Sequence, residues 1–323
     1  MNIVVEIVAP IVALIAVGYG AARFRVIDSD GVRALSDVTF LLFLPALLFG
    51  AMARTSFEKI AFDAPVAYFS VALAIFFTLF AIQRARGFES QQAVLHSLAG
   101  IFSNNVMLGV PLVRLAFGEA GLAVLLTIIA MHALILLSVA TLMLEFARAM
   151  APGAEGDAAA PVRSRLRRLL AALRPALRSA LVHPVVLPII AGVAWSLLHL
   201  NLPGPIDAAL KLMASAATPM CLVLLGASLA QYGVSAGWGS VAALSALKNL
   251  LHPLLAYVAG RWLFGLDTLT LSVLTIAAGL PIGANVYLLA QRYRVELPIV
   301  SGAVSLSTVV GGVTLPILLA WLR

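Results

Sequence analysis

The chain has 323 residues, 62% of them apolar and only 11% charged, with a mean hydropathy of +1.06. Soluble globular domains carry roughly 45–50% apolar and about 25% charged residues, so a soluble enzyme, a secreted disulfide module and a disordered protein are excluded. One cysteine, Cys221, leaves no intrachain disulfide and no cysteine-built metal cluster, and the formal charge of +7 matters by its location rather than its sum.

Charged residues fall in clusters between long uncharged runs. A bilayer-crossing helix needs about 20 mostly apolar residues and must satisfy its own backbone. On that rule the sequence predicts ten spans, about 3–22, 34–52, 64–83, 92–117, 120–146, 182–200, 208–230, 240–264, 268–292 and 297–322. The start, Met1 to Glu6, lacks the positive residue of a signal peptide, so the first run reads as a true helix. The fourth and ninth spans are broken: they hold Asn104-Asn105 with Gly109 and Pro111, and Pro281 with Gly283 and Asn285.

Between the fifth and sixth spans, residues 151–161 are small and punctuated by Pro and Gly, a flexible linker. Six arginines follow within Arg163–Arg178. That segment reads as a solvated loop or an interfacial stretch resting on anionic lipid. Nothing aromatic interleaves and the run is tethered between spans, so nucleic acid is not expected as a partner. With this loop in the cytoplasm, 14 of the 21 Lys and Arg lie inside and six outside, in line with the positive-inside rule. Both termini then lie on the outer side of the membrane.

The basic loop divides the chain into 1–147, a linker 148–180, and 181–323, with five spans on either side. An odd number per half inverts the second half, the logic of secondary transporters. Register matches support a duplication. Asn104 and Pro281 are 177 apart, Glu119 and Glu296 also 177, and Pro45 and Pro219 174. Gly, Pro and Asn at corresponding places in both halves point to a site at the breaks. Each second half-helix would begin there with free amide donors and a positive dipole end, which suits a carboxylate or another small anion. Asn supplies donor and acceptor without a buried charge.

At these residues the sequence resembles the auxin efflux carrier family, which includes plant auxin carriers and bacterial malonate and malate carriers. The resemblance covers the whole chain. It is strongest over Asn104–Pro111 with Leu112, and over Leu280-Pro281-Ile282-Gly283-Ala284-Asn285. Phe43–Phe49 and Lys248–Pro253 support it. It implies ten helices in two inverted repeats, with broken helices four and nine crossing as in bile acid/sodium symporters. It also implies a scaffold of helices one, two, six and seven, and a transport domain of three to five and eight to ten. The crossing asparagines of that family touch a substrate carboxylate, which places the role on Asn104 and Asn285. Two departures make auxin a poor substrate: Ser103 stands where plant carriers have Pro, and Val286 where they have a second Pro.

Other polar residues are read two ways. Lys248, deep in the eighth span, either bonds backbone carbonyls in packing or serves coupling and gating; His252 lies on its face one turn on. His132 in the fifth span is either a core histidine or a proton relay. Glu6 and Glu145 sit at span ends and His96 near an interface, all three expected to be inert. No metal-site spacing, nucleotide loop or hydrolase motif is present, so neither cofactor, metal nor catalytic residue is expected. The expected function is carriage of a small organic anion by alternating access, with H⁺ favoured over Na⁺ as a coupled ion. An uncoupled exporter, a channel-like or sensor protein and an intramembrane enzyme are the alternatives. Oligomeric state stays open, a homodimer included.

Overall fold

A computed structural model describes residues 3–55, 62–149, 184–230 and 237–322. The Arg163–Arg178 segment and most of the 148–180 linker fall outside them. The described residues are helical, with no strand among them. We label the helices α1 Ile3–Arg23, α2 Ser29–Ala53, α3 Asp63–Ala85, α4 Ser90–Ala99, α5 Val110–Ala149, α6 Val186–Leu197, α7 Gly204–Leu229, α8 Trp238–Leu263, α9 Thr268–Gly279, α10 Asn285–Tyr293 and α11 Leu297–Leu322.

Seven of the described helical segments are long and apolar enough to cross a membrane, against the ten spans expected. The shortfall has a local cause. The ninth expected span is split into α9 and α10, and α9 alone has 12 residues. The sixth is described only as the 12-residue α6, because the chain before it lies outside the described residues. The fourth and fifth run together: Asn105–Arg148 is one long apolar segment. Inside it, Gly118 takes φ 66°, ψ −160°. That backbone is open essentially to glycine alone and divides α5 into two arms.

Proline shapes the helices in a recurring way. Pro45, Pro111 and Pro253 each stand two residues after a widened π-helical turn, at Thr39–Phe43, Asn105–Gly109 and Leu247–Leu251. Proline lacks an N–H and its ring collides with the carbonyl four residues back, and widening the preceding turn relieves that collision. The same device therefore rotates the side chains of Lys248 and Asn249 relative to a regular helix.

The packing falls into two groups of helices. α1 lies along α7, and α2 packs on both α6 and α7. The α1–α7 contact is backbone against backbone. A Cβ on Gly18 would stand 1.9 Å from the Val223 carbonyl oxygen, and one on Gly226 1.9 Å from that of Ile15. In the other group α3 packs on α4 and on α8, and α8 packs on α9 and α11. α5 touches helices of both groups. The chain is thus a multi-pass membrane protein whose two interrupted segments meet in its interior.

Candidate functional site

α4 stops at Ala99, and α9 stops at Gly279, where Leu280 is extended ahead of Pro281. The two breaks lie antiparallel, Ser103 opposite Ile282. The Asn104 N–H donates to the Pro281 carbonyl at 2.8 Å, and the Gly283 N–H to the Phe102 carbonyl at 2.9 Å. Backbone groups freed in an apolar interior must find partners inside the protein; here each break supplies the other. Glycine is required at 283 by this approach. A Cβ there would meet the Phe102 ring at 2.9 Å and the Ser103 carbonyl oxygen at 3.2 Å. Pro281 has no N–H to satisfy, and the Ile282 N–H donates to Ser307 Oγ at 3.0 Å.

The two adjacent asparagines do different things. Asn104 is an N-cap: the Met107 N–H donates to its Oδ1 at 3.3 Å. Asn105 is 2% exposed, and neither atom of its amide makes a hydrogen bond of normal geometry, although the Tyr68 hydroxyl is close. A buried amide left unpaired costs about 1–3 kcal/mol per group, so this one is free to receive a partner. Gly109 closes the π-helical turn, and a Cβ on it would meet Leu280 at 2.7 Å, which ties the first break to the second. Pro111 follows that turn at the head of α5. Asn285 opens α10 and is half-buried, its amide without a hydrogen bond among the described residues.

Lys248 is fully buried. Its ammonium donates to the carbonyls of Ala278 and, at 2.6 Å, Leu280. Those carbonyls belong to the end of α9, where the helix dipole is negative, so the cation caps the first half-helix of that segment. The expectation that Lys248 bonds carbonyls is met by this geometry; a coupling role is a separate question. His132 accepts the Ser103 N–H through Nε2 at 3.4 Å and lies 3.2 Å from the Tyr68 hydroxyl. Tyr68 also bonds Ser103 Oγ at 2.9 Å. His252 is buried with both ring nitrogens unpartnered, its ring 5.6 Å from that of Tyr68.

Direct contacts thus tie Asn104, Gly109, Pro281, Gly283, Lys248 and His132 to the two breaks. Asn105 and His252 are linked to them through Tyr68. Asn285 begins the helix that leaves the second break. Three further residues complete the arrangement: Tyr68, Ser307, and Asn249, whose Nδ2 donates to the Ser307 carbonyl at 3.1 Å. Tyr68 and Ser307 sit in ordinary apolar runs where spacing gives no signal, and Asn249 adjoins Lys248 within the Lys248–Pro253 stretch. Two residues expected to be inert make structural contacts. His96 is buried, paired with Gln83 at 2.8 Å and 3.6 Å from Glu296. Glu145 accepts the Tyr293 hydroxyl at 2.7 Å, fastening α5 to α10. Among the described residues no three His, Cys, Asp or Glu gather to hold a metal ion.

Two comparisons with known proteins bear on the family of the chain. The family model described as "Membrane transport protein" matches residues 3–319. A protein of Rhizobium meliloti (strain 1021) described as "Putative malonate transporter" is 27% identical over 319 residues, covering 98% of this chain and 95% of its own.

Proposed function

The chain belongs to the auxin efflux carrier family of membrane transport proteins, and on that premise we propose that it is a secondary carrier of a small organic anion, a carboxylate, working by alternating access. The observation that carries this reading is the pairing of two interrupted helices at one place, from which two half-helices depart with Asn105 and Asn285 in their first turns. Half-helix N-termini with neutral amide donors suit an anion. A carboxylate held there needs no fixed positive charge of its own, and the tethered Lys248 ammonium stands behind the second break. Family membership and the name of the relative speak for a transporter over an intramembrane enzyme.

The reading includes ten spans in two inverted five-helix repeats, 1–147 and 181–323. α1, α2, α6 and α7 form the scaffold and the remaining helices the moving transport domain. The packing of α1 on α7 and of α2 on α6 and α7 supports that partition. Both termini lie in the periplasm and the central basic loop in the cytoplasm. In the moving domain the paired breaks travel as one body, because their backbone hydrogen bonds are made within that domain. The substrate moves with them past the scaffold.

The test is uptake into proteoliposomes. The purified chain should exchange labelled malonate for unlabelled malonate trapped inside, and the released compound should be chemically unchanged. Flux without such exchange would favour a channel, and a modified product an enzyme.

A further inference from the structure

A cavity of about 510 Å³ lies away from the paired breaks, between the α2–α7 pair and the bend of α5. It is more polar than the other large clefts, and its charged lining residues are Arg54, Arg114, Lys211 and Glu119. From Asn105 to Gly118 the chain rises along one half-helix, 13 residues and roughly 20 Å. The cavity therefore stands at the far end of the helix that starts at the first break.

Its charges are divided between two walls. On one wall a single carboxylate, Asp207, serves two cations: Arg54 Nη2 at 2.9 Å and Lys211 Nζ at 2.6 Å. On the other wall Arg114 pairs with Glu119 at 2.8 Å, five residues on along the same segment. Three cations thus face two carboxylates, and the excess is positive. None of these ion pairs runs from α5 to α2 or α7, so they do not lock the walls together. Every cation keeps N–H groups to spare. Thr218, also in the lining, has a buried hydroxyl without a partner. It precedes Pro219, which cannot donate to the Ser215 carbonyl in the same wall. A cleft with an excess of positive charge raises the local concentration of anions.

We propose that this cavity is a staging site for short dicarboxylates, one carboxylate meeting Lys211 and Arg54 and the other meeting Arg114 on the facing wall. A monocarboxylate reaches one wall only and gains less. The inference rests on the carrier reading for its purpose and names the substrate class of that carrier, but the site itself is a matter of binding. The ligand is delivered from here along the α5 half-helix towards the paired breaks.

The experiment separates binding from transport. Full-length protein in detergent is titrated with malonate and with acetate, followed by thermal shift. Arg114→Gln and Lys211→Gln are titrated beside the wild type, and proteoliposome uptake is measured on the same preparations. Malonate should bind the wild type more tightly than acetate. Each charge removal should weaken malonate binding about ten-fold at low salt, the size of one lost hydrogen bond to a charged group. Glu119→Gln should tighten it, and both effects should shrink as salt rises. Uptake by the charge variants should show a raised KM with kcat retained. Equal malonate affinity in the wild type and both charge variants would overturn the staging site, whatever the uptake. Intact charge-dependent binding with no wild-type uptake would overturn the carrier reading and leave the cavity's ligand class standing.

Discussion

An amide side chain in lipid is expensive unless something bonds to it, and the two neighbouring asparagines of the first break meet that demand differently. Asn104 uses its oxygen to cap the turn at Met107, while Asn105 makes no hydrogen bond of normal geometry and has only the Tyr68 hydroxyl close by. Removing either has a different expected result. Asn105→Ala relieves an unsatisfied group, so the apo protein should melt no lower than the wild type, while carboxylate affinity falls about ten-fold. Asn285→Ala should lose affinity by a similar factor. Asn104→Asp retains the capping acceptor and adds a negative charge. The buried charge has no cation beside it among the described residues, so the melting temperature should fall, and anion binding should disappear. Thermal-shift titration reads all three, and anion binding unchanged in Asn104→Asp would remove that side chain from the site. The sequence shows the Asn104-Asn105 pair clearly, because two amides in an apolar run are rare. It does not show which of them caps, since that depends on the π-helical turn that follows.

Elements of this chain are defined as much by where backbones touch as by where helices run. The Gly18–Val223 and Gly226–Ile15 approaches leave no room for a Cβ. Small residues let membrane helices pack closely without a hydrophobic drive. Gly226→Ala would push a methyl group into a carbonyl oxygen, which cannot swing aside as a side chain can. The expected cost is about 1–3 kcal/mol, as for overpacked cores, with a clear fall in melting temperature. Gly312→Ala is the control, because nothing lies within 4 Å of a Cβ there. Equal melting of the two variants would show that α1 and α7 slide apart at little cost. The sequence foretold long helices well, since uncharged runs and helix length obey the same bilayer thickness. It placed the second interruption, Leu280–Ala284, through Pro281, Gly283 and Asn285; of the residues expected to break the fourth span, Gly109 and Pro111 lie in the helical turns that follow the observed gap at Gly100–Asn104. It was blind to Gly18 and Gly226, because two glycines in apolar helices look alike whether they face lipid or a neighbour's backbone. The count of spans was also less legible than their positions: half-helices such as α9 are too short to register alone, and the bend at Gly118 joins two arms into one apolar stretch.

Two features of the whole molecule set how it would be driven, its orientation and its buried lysine. If the central basic loop is cytoplasmic, a cysteine placed within 151–161 of a Cys221-free protein should react with an impermeant reagent from the cytoplasmic side only; labelling from the periplasm would invert the topology. In that orientation an imported carboxylate works against about 2.3 kcal/mol per charge per 100 mV. A coupled cation offsets the cost, and carriers with broken helices often hold one on the carbonyls at a half-helix end. Here those carbonyls, of Ala278 and Leu280, already accept the Lys248 ammonium. The Lys248 amine therefore takes up carbonyls that a coupled cation could otherwise use, beside His252 with its two unpartnered nitrogens. Transport is accordingly expected to be indifferent to replacing Na⁺ by choline and to respond to a pH gradient. Lys248→Gln keeps donors for the two carbonyls but cannot exchange a proton. It should bind malonate within about three-fold of the wild type while its uptake no longer follows the gradient. Lys248→Met, which leaves the carbonyls bare, should fold less stably and thereby separate the capping role from the coupling role. Uptake that requires Na⁺ and ignores pH in the wild type would sink this account and return the two carbonyls to a bound ion.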